Sequence, residues 1–168
     1  SQKDSEPFDR AWSENYGVEV IRDKSTILLP SFRVGRAVRR IARERQITRA
    51  FFGAAAPLAL LAQGLRRAGV TRIVSLTHGH EVWWAKLWPF SFAIHRIGAG
   101  TDHLTYLGNY TKSEISRALS QSAQDAMVRI APGIDTNHFA PQSNSAALRD
   151  ELGLTHKKVI VSVGRLVH

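Results

Sequence analysis

The stretch RAFFGAAAPLALLAQGLRRAGVTRIVSLTHGH, Arg49–His80, decides the fold class. Arg49–Phe52 and Arg72–Leu76 are short runs rich in Phe, Ile and Val, side chains that pack well on a pleated surface. Between them, Pro57–Ala68 carries leucines at helical spacing, with a proline at its start and Gly69 at its end. Strand, helix, strand in this order makes a crossover unit, because two parallel neighbours can only be joined over a face of their sheet.

The same alternation extends in both directions. Upstream, Tyr16–Asp23 alternates apolar and polar residues and reads as a strand, and the short apolar run Ile27–Leu29 ends at Pro30. From Arg33 to Gln46 the period changes to that of a helix. Val34, Ala37, Val38, Ile41 and Ala42 form one arc, with Arg33, Arg36, Arg40 and Arg43 opposite. Downstream, a helix Leu87–Ile97, a strand His103–Leu107, a helix Thr111–Ser120 and a strand Ala126–Ile130 follow. A helix Ser145–Leu152 and a strand Lys158–Val163 come last. The class is α/β, a parallel sheet with helices on both faces. Ligands of such sheets bind beyond the carboxyl ends of the strands, and Gly53, Gly79, Gly108, Gly133 and Gly164 stand within three residues of those ends. The linker-like run Pro141–Ala147 divides residues 1–140, one domain, from residues 141–168, the start of another. A fragment is therefore expected, with the opening strand and most of the second domain outside it.

At 168 residues and 18.7 kDa, with 43% hydrophobic and 22% charged residues, the chain can fill one core and is neither disordered nor fibrous in composition. Its 17 Arg and 6 Lys against 14 acidic residues give a formal net charge of +9, which points to an anionic partner: nucleic acid, a nucleotide or an acidic lipid surface. With no cysteine there are no disulfides, thiolate metal sites or cysteine nucleophiles. The longest apolar stretch, Ala50–Ala62, is too short for a membrane span.

Chemistry concentrates in Ser75–Glu81, where a strand ends. His78 and His80 stand two residues apart, not at the four-residue spacing of a helical zinc site, so acid–base work competes with a turn-capping role. Immediately after, Trp83, Trp84, Trp88 and Phe90 fall within eight residues. They cannot all face inward from one helix, so core packing competes with a surface for a sugar, a base or a membrane interface. The arginine face Arg36, Arg40 and Arg43 is either simply solvated or suited to anionic headgroups; no nucleic-acid motif accompanies it. The turn Pro132–Asp135 offers backbone amides around Gly133, and Arg165 after Gly164 is placed for a phosphate or for solvent. No GxGxxG, Walker A, GxSxG or EF-hand pattern occurs, so hydride transfer, P-loop chemistry and serine hydrolysis lose their usual support.

In order and spacing, Phe51–Leu60 (FFGAAAPLAL), Thr77–Glu81 (THGHE), Tyr110–Thr111, Pro132–Asp135 (PGID) with Phe139 and Pro141, and Gly164–Val167 (GRLV) resemble family 4 glycosyltransferases of the GT-B fold. Within that family the chain is most similar to the actinobacterial GDP-mannose-dependent enzymes of phosphatidylinositol mannoside synthesis. The resemblance implies two Rossmann-like domains, with mannose moving from GDP-mannose to a phosphoinositide-type glycolipid, with retention and without an essential metal or other cofactor. It implies His78 beside the donor sugar, Gly79 and Gly133 at the donor, Arg165 on its diphosphate, and no nucleic-acid partner. Arg36, Arg40, Arg43, Trp83 and Trp84 would then serve the acceptor or the membrane, and the enzyme would be cytoplasmic, peripheral on the inner face of the plasma membrane. WWAKLWPF replaces the GWSMLP-like run of the subgroup, and the lysine after Arg165 and the E-x7-E segment lie outside the chain, so the fragment is expected to be inactive alone. Two alternatives stand beside this: a family 4 enzyme with another nucleotide sugar and acceptor, and a non-catalytic basic lipid- or nucleic-acid-binding α/β module.

Overall fold

The computed structural model describes residues 5–140 and 146–162. The chain forms two compact units, residues 1–132 and residues 133–168.

In the first unit, α1 (Glu6–Tyr16) carries Pro7 at its second position and Glu6 and Asp9 in its first turn, and stops at Gly17, whose φ of 63° glycine adopts freely. The next segment corrects the sequence reading, since Tyr16–Asp23 is not a strand. A strand needs a neighbour for its amides and carbonyls. Here Val18, Val20 and Ile21 are exposed, and side-chain pairs tether the segment instead: Arg22 to Asp9 at 2.5 Å and Arg45 to Glu19. α2 (Phe32–Glu44) is capped by the Ser31 hydroxyl, which accepts the Val34 N–H, and buries Val34 and Ala42.

There follow β1 (Arg49–Phe52), a 3-10 turn Leu58–Leu61 leading into α3 (Ala62–Arg66), β2 (Arg72–Ser75), α4 (Glu81–Lys86) and α5 (Phe90–Gly100). Then come β3 (His103–Tyr106), α6 (Asn109–Ser116), α7 (Gln121–Asp125) and β4 (Val128–Arg129). The helix expected over Leu87–Ile97 starts later because Pro89 has no N–H to donate; α4 precedes it as a separate turn and a half that the sequence reading did not contain.

The four strands are parallel and lie in the order β1-β2-β3-β4. Ala50 pairs with Ile73, and Phe52 with Ser75 and so with Leu104, and these side chains meet the helices. One cluster joins Ile73 to Ala42, Ala62, Leu65 and Val70; the other joins Leu104 to Ile94, Ile97, Ile115 and Leu119, and Phe52 packs against both. The parallel sheet with flanking helices is thus present. Among the described residues, the opposite face carries Phe51, which is 63% exposed.

By itself, the second unit contains α8 (Ala146–Glu151), ended by Gly153 at φ 63°. Residues 158–162, expected within a strand, have none; Val159, Ile160 and Val161 are exposed with no neighbouring strand among the described residues. No helix among the described residues is long and apolar enough to cross a membrane.

Candidate functional site

The carboxyl ends of β1, β2 and β3 are tied together before the chain leaves the sheet. The Leu76 N–H donates to the Phe52 carbonyl at 2.9 Å and the Ala55 N–H to the Leu76 carbonyl at 2.9 Å. Buried Thr77 donates its hydroxyl to the Thr105 carbonyl at 2.7 Å. This anchoring fixes where the next residue, His78, enters solvent.

His78 is exposed, and its Nε2 lies 2.6 Å from the Gly53 carbonyl. A carbonyl only accepts, so Nε2 carries the proton in this contact. Nδ1 has no partner among the described residues and is the nitrogen left to a ligand. Gly79 has φ +100°, and a Cβ added there would meet nothing within 4 Å. Glycine at this position serves conformation and an open backbone rather than packing.

The turn is held from beneath by Glu81, the first residue of α4. Its side chain is fully buried, and Oε2 accepts the N–H of His78 at 3.0 Å and of Gly79 at 3.1 Å. Oε1 makes no hydrogen bond among the described residues and lies 3.5 Å from His80 Nε2. His80 Nε2 also approaches the Ala56 carbonyl, at 3.4 Å. In sequence, Glu81 closes the Ser75–Glu81 stretch beside His78 and His80. Its backbone-holding role was not foreseen, although an acidic residue at the first helical position after His-Gly was the available signal.

α4 separates the two tryptophans. Trp83 is 70% exposed, whereas Trp84 is half-buried against the core, 5.0 Å from the Phe90 ring. Lys86, on the same helix, pairs with Glu114 of α6 at 2.9 Å, and Arg117 joins the pair at 3.2 Å. The hydrogen bond from Lys86 holds the Glu114 carboxyl below the usual glutamate range, against the opposing effect of burial and with help from Arg117. A carboxylate depressed by folding stabilises the fold fully above its unfolded pKa, near 4.3, and that contribution is lost as pH falls through the lower folded value. Glu114→Gln is therefore expected to remove part of the acid loss of stability, read as urea midpoints from neutral pH to about 3. Parallel losses in the variant and the parent would mean that the pair contributes nothing.

Arg36, Arg40 and Arg43 lie exposed along α2 and line one shallow concavity with Phe32, Arg39 and Glu44; Arg40 is 3.8 Å from Glu44. Gly133 belongs to the second unit, exposed in the turn before Asp135, whose Oδ1 accepts the N–H groups of Asn137 at 2.9 Å and His138 at 3.1 Å. Arg165 lies outside the described residues. The fold thus brings His78 and Gly79 onto one clamped turn, with exposed Trp83 on the helix that the turn opens.

No family model matches the chain. It is 40% identical over 166 residues to a GDP-mannose-dependent alpha-(1-6)-phosphatidylinositol monomannoside mannosyltransferase of Mycolicibacterium smegmatis, a match covering 98% of this chain and 43% of that protein. The protein of the same description from Mycobacterium tuberculosis is 39% identical, with 98% and 42% covered. A GDP-mannose-dependent monoacylated alpha-(1-6)-phosphatidylinositol monomannoside mannosyltransferase of Corynebacterium glutamicum is 33% identical over 154 residues, with 90% and 40% covered. The chain spans less than half the length of these relatives.

Proposed function

We propose, on the premise that the chain is homologous to part of these longer mannosyltransferases, that it is the acceptor-side portion of a retaining enzyme. That enzyme moves mannose from GDP-mannose to a phosphatidylinositol mannoside at a membrane surface. The observation that supports this most is the match over 98% of the chain, which runs through the clamped His78–Gly79 turn.

In the reaction, the bond from mannose C1 to the diphosphate oxygen breaks and a bond from C1 to an acceptor hydroxyl oxygen forms on the same face. The hydroxyl proton leaves with the diphosphate. Little covalent chemistry falls to the protein; position and electrostatics carry the rate. The His78 ring, anchored through Nε2, presents Nδ1 to a sugar hydroxyl, and Gly79 lets the ligand approach the backbone. Gly133 and Arg165 are assigned to the donor, Arg165 to its diphosphate. Arg36, Arg40 and Arg43 meet anionic headgroups at the cytoplasmic face of the plasma membrane. Trp83 meets the acceptor or the interface, with Trp84 packed beneath the same helix.

The test is transfer of labelled mannose from GDP-mannose to a phosphatidylinositol monomannoside in anionic vesicles. It is run with this chain and with the chain extended in frame to the length of its relatives. Product is expected from the extended protein only. Neutralising Arg36, Arg40 and Arg43 together should raise the apparent KM for vesicle-borne acceptor by about tenfold or more, since each basic residue near such a surface contributes about 1 kcal/mol. No product from either protein would sink the substrate assignment. An unchanged KM in the triple variant would sink the docking role.

A further inference from the structure

We propose that the concavity between α2, the 3-10 turn with α3, and α5 is a phosphoryl-binding site built from Arg39, Arg67 and Arg96. Arg39 of α2, Arg67 just after α3 and Arg96 of α5 line one open pocket of about 240 Å³. None of His78, Gly79 or Glu81 lines it, so the site is additional to the turn assigned to transfer.

Charge is the first reason. Among the described residues, no aspartate or glutamate lines the pocket. Several arginines of the fold pair with carboxylates, among them Arg22 with Asp9, Arg33 with Asp23, Arg66 with Asp102 and Arg117 with Glu114. Arg39, Arg67 and Arg96 have no ion pair among the described residues. Arg96 makes a long hydrogen bond to Gln63, 3.4 Å, and lies 5.9 Å from the Phe92 ring centre. Like charges gathered in one concavity repel, and an anion removes that cost.

Packing is the second reason, because it aims one of the three. A Cβ on Gly64 of α3 would stand 3.4 Å from Arg39 Cδ, and one on Gly35 of α2 would stand 3.2 Å from Leu61 Cδ2. Two glycines thus let α2 cross close over the turn and α3, and the Arg39 stem lies along the crossing. The opening residues of α2, Ser31 and Phe32, line the same pocket, so first-turn amides add positive potential.

Three forked donors suit a phosphate monoester, a dianion with three peripheral oxygens, better than a carboxylate with one charge and two oxygens. The phosphate can be soluble or carried on a lipid. Pro30, Leu60 and exposed Phe32 give the pocket an apolar rim that also suits a lipid-borne group.

The test uses the whole chain and three probes: inorganic phosphate, vesicles containing phosphatidic acid, and phosphatidylcholine vesicles. Saturable shifts of the Arg39, Arg67 and Arg96 side-chain Nε–H resonances with phosphate are expected. Arg67→Gln with Arg96→Gln should weaken binding about tenfold or more, as losing charge-assisted bonds does. Arg10→Gln with Arg129→Gln removes the same charge elsewhere and should change binding less than about twofold. Arg67→Lys with Arg96→Lys keeps the charge and should still weaken it, through loss of the fork. A vesicle response confined to phosphatidic acid and lost in the Arg67/Arg96 variants assigns a lipid source. Phosphate binding with vesicles indifferent to those variants assigns a soluble one. Equal losses in both Gln pairs, or no saturable shift, overturns the site.

Discussion

On the proposed function, His78→Ala in the extended protein is expected to lower mannose transfer by about 10²–10³-fold, the range for removing one preorganised polar group from a reacting centre. Its stability should barely move. The ring is exposed and, among the described residues, its hydrogen bond is to the carbonyl of Gly53, an exposed residue that water can serve. Such a bond contributes about 1 kcal/mol net. The measurement is kcat at saturating donor and acceptor alongside a urea melt. Full activity in the variant would reduce His78 to a capping group for the β1 loop, and a large loss of stability would show that the ring holds the fold rather than the ligand.

The second large effect belongs to Glu81, and two variants separate its charge from its shape. Glu81→Leu leaves the His78 and Gly79 amides without the acceptor that the fully buried Glu81 side chain supplies. At about 1–3 kcal/mol for each stranded group, a loss of about 2–5 kcal/mol is expected, with transfer falling because Gly79 is no longer held at its positive φ. Glu81→Gln keeps a carbonyl oxygen for both amides and removes a buried charge, so its stability should stay within about 1 kcal/mol of the parent. Denaturant midpoints of the three proteins decide the matter. If Leu and Gln behave alike, the two short contacts to Oε2 do not hold the turn.

The parts of the fold that could be read beforehand are those where the physics is local. Phe51, Phe52, Ile73 and Val74 lie in runs whose side chains fit a sheet, and Gly69 stands where α3 and its turn must stop. The position of His78 and Gly79 just past the end of β2 could be read beforehand, because the strand–helix alternation already marks where each strand of a parallel sheet stops. Tyr16–Asp23 misled because alternation reports a strand only when a partner exists, and no local pattern supplies one. α1 was missed although Pro7, the acids of its first turn and Gly17 are ordinary boundary signals; its amphipathic pattern buries nothing. The function of Glu81 was hidden for another reason. Whether a carboxylate turns back onto two amides depends on the path of the backbone, and spacing alone does not carry that.

The strand order has a consequence for how the protein is made. Each strand of β1-β2-β3-β4 lies beside the one synthesised just before it, with its connecting helices between them in the sequence. The sheet can therefore assemble in the direction of translation. β1 and β2 can pair behind the ribosome before β3 has left it, and the apolar side chains of each new strand find a prepared surface as they emerge.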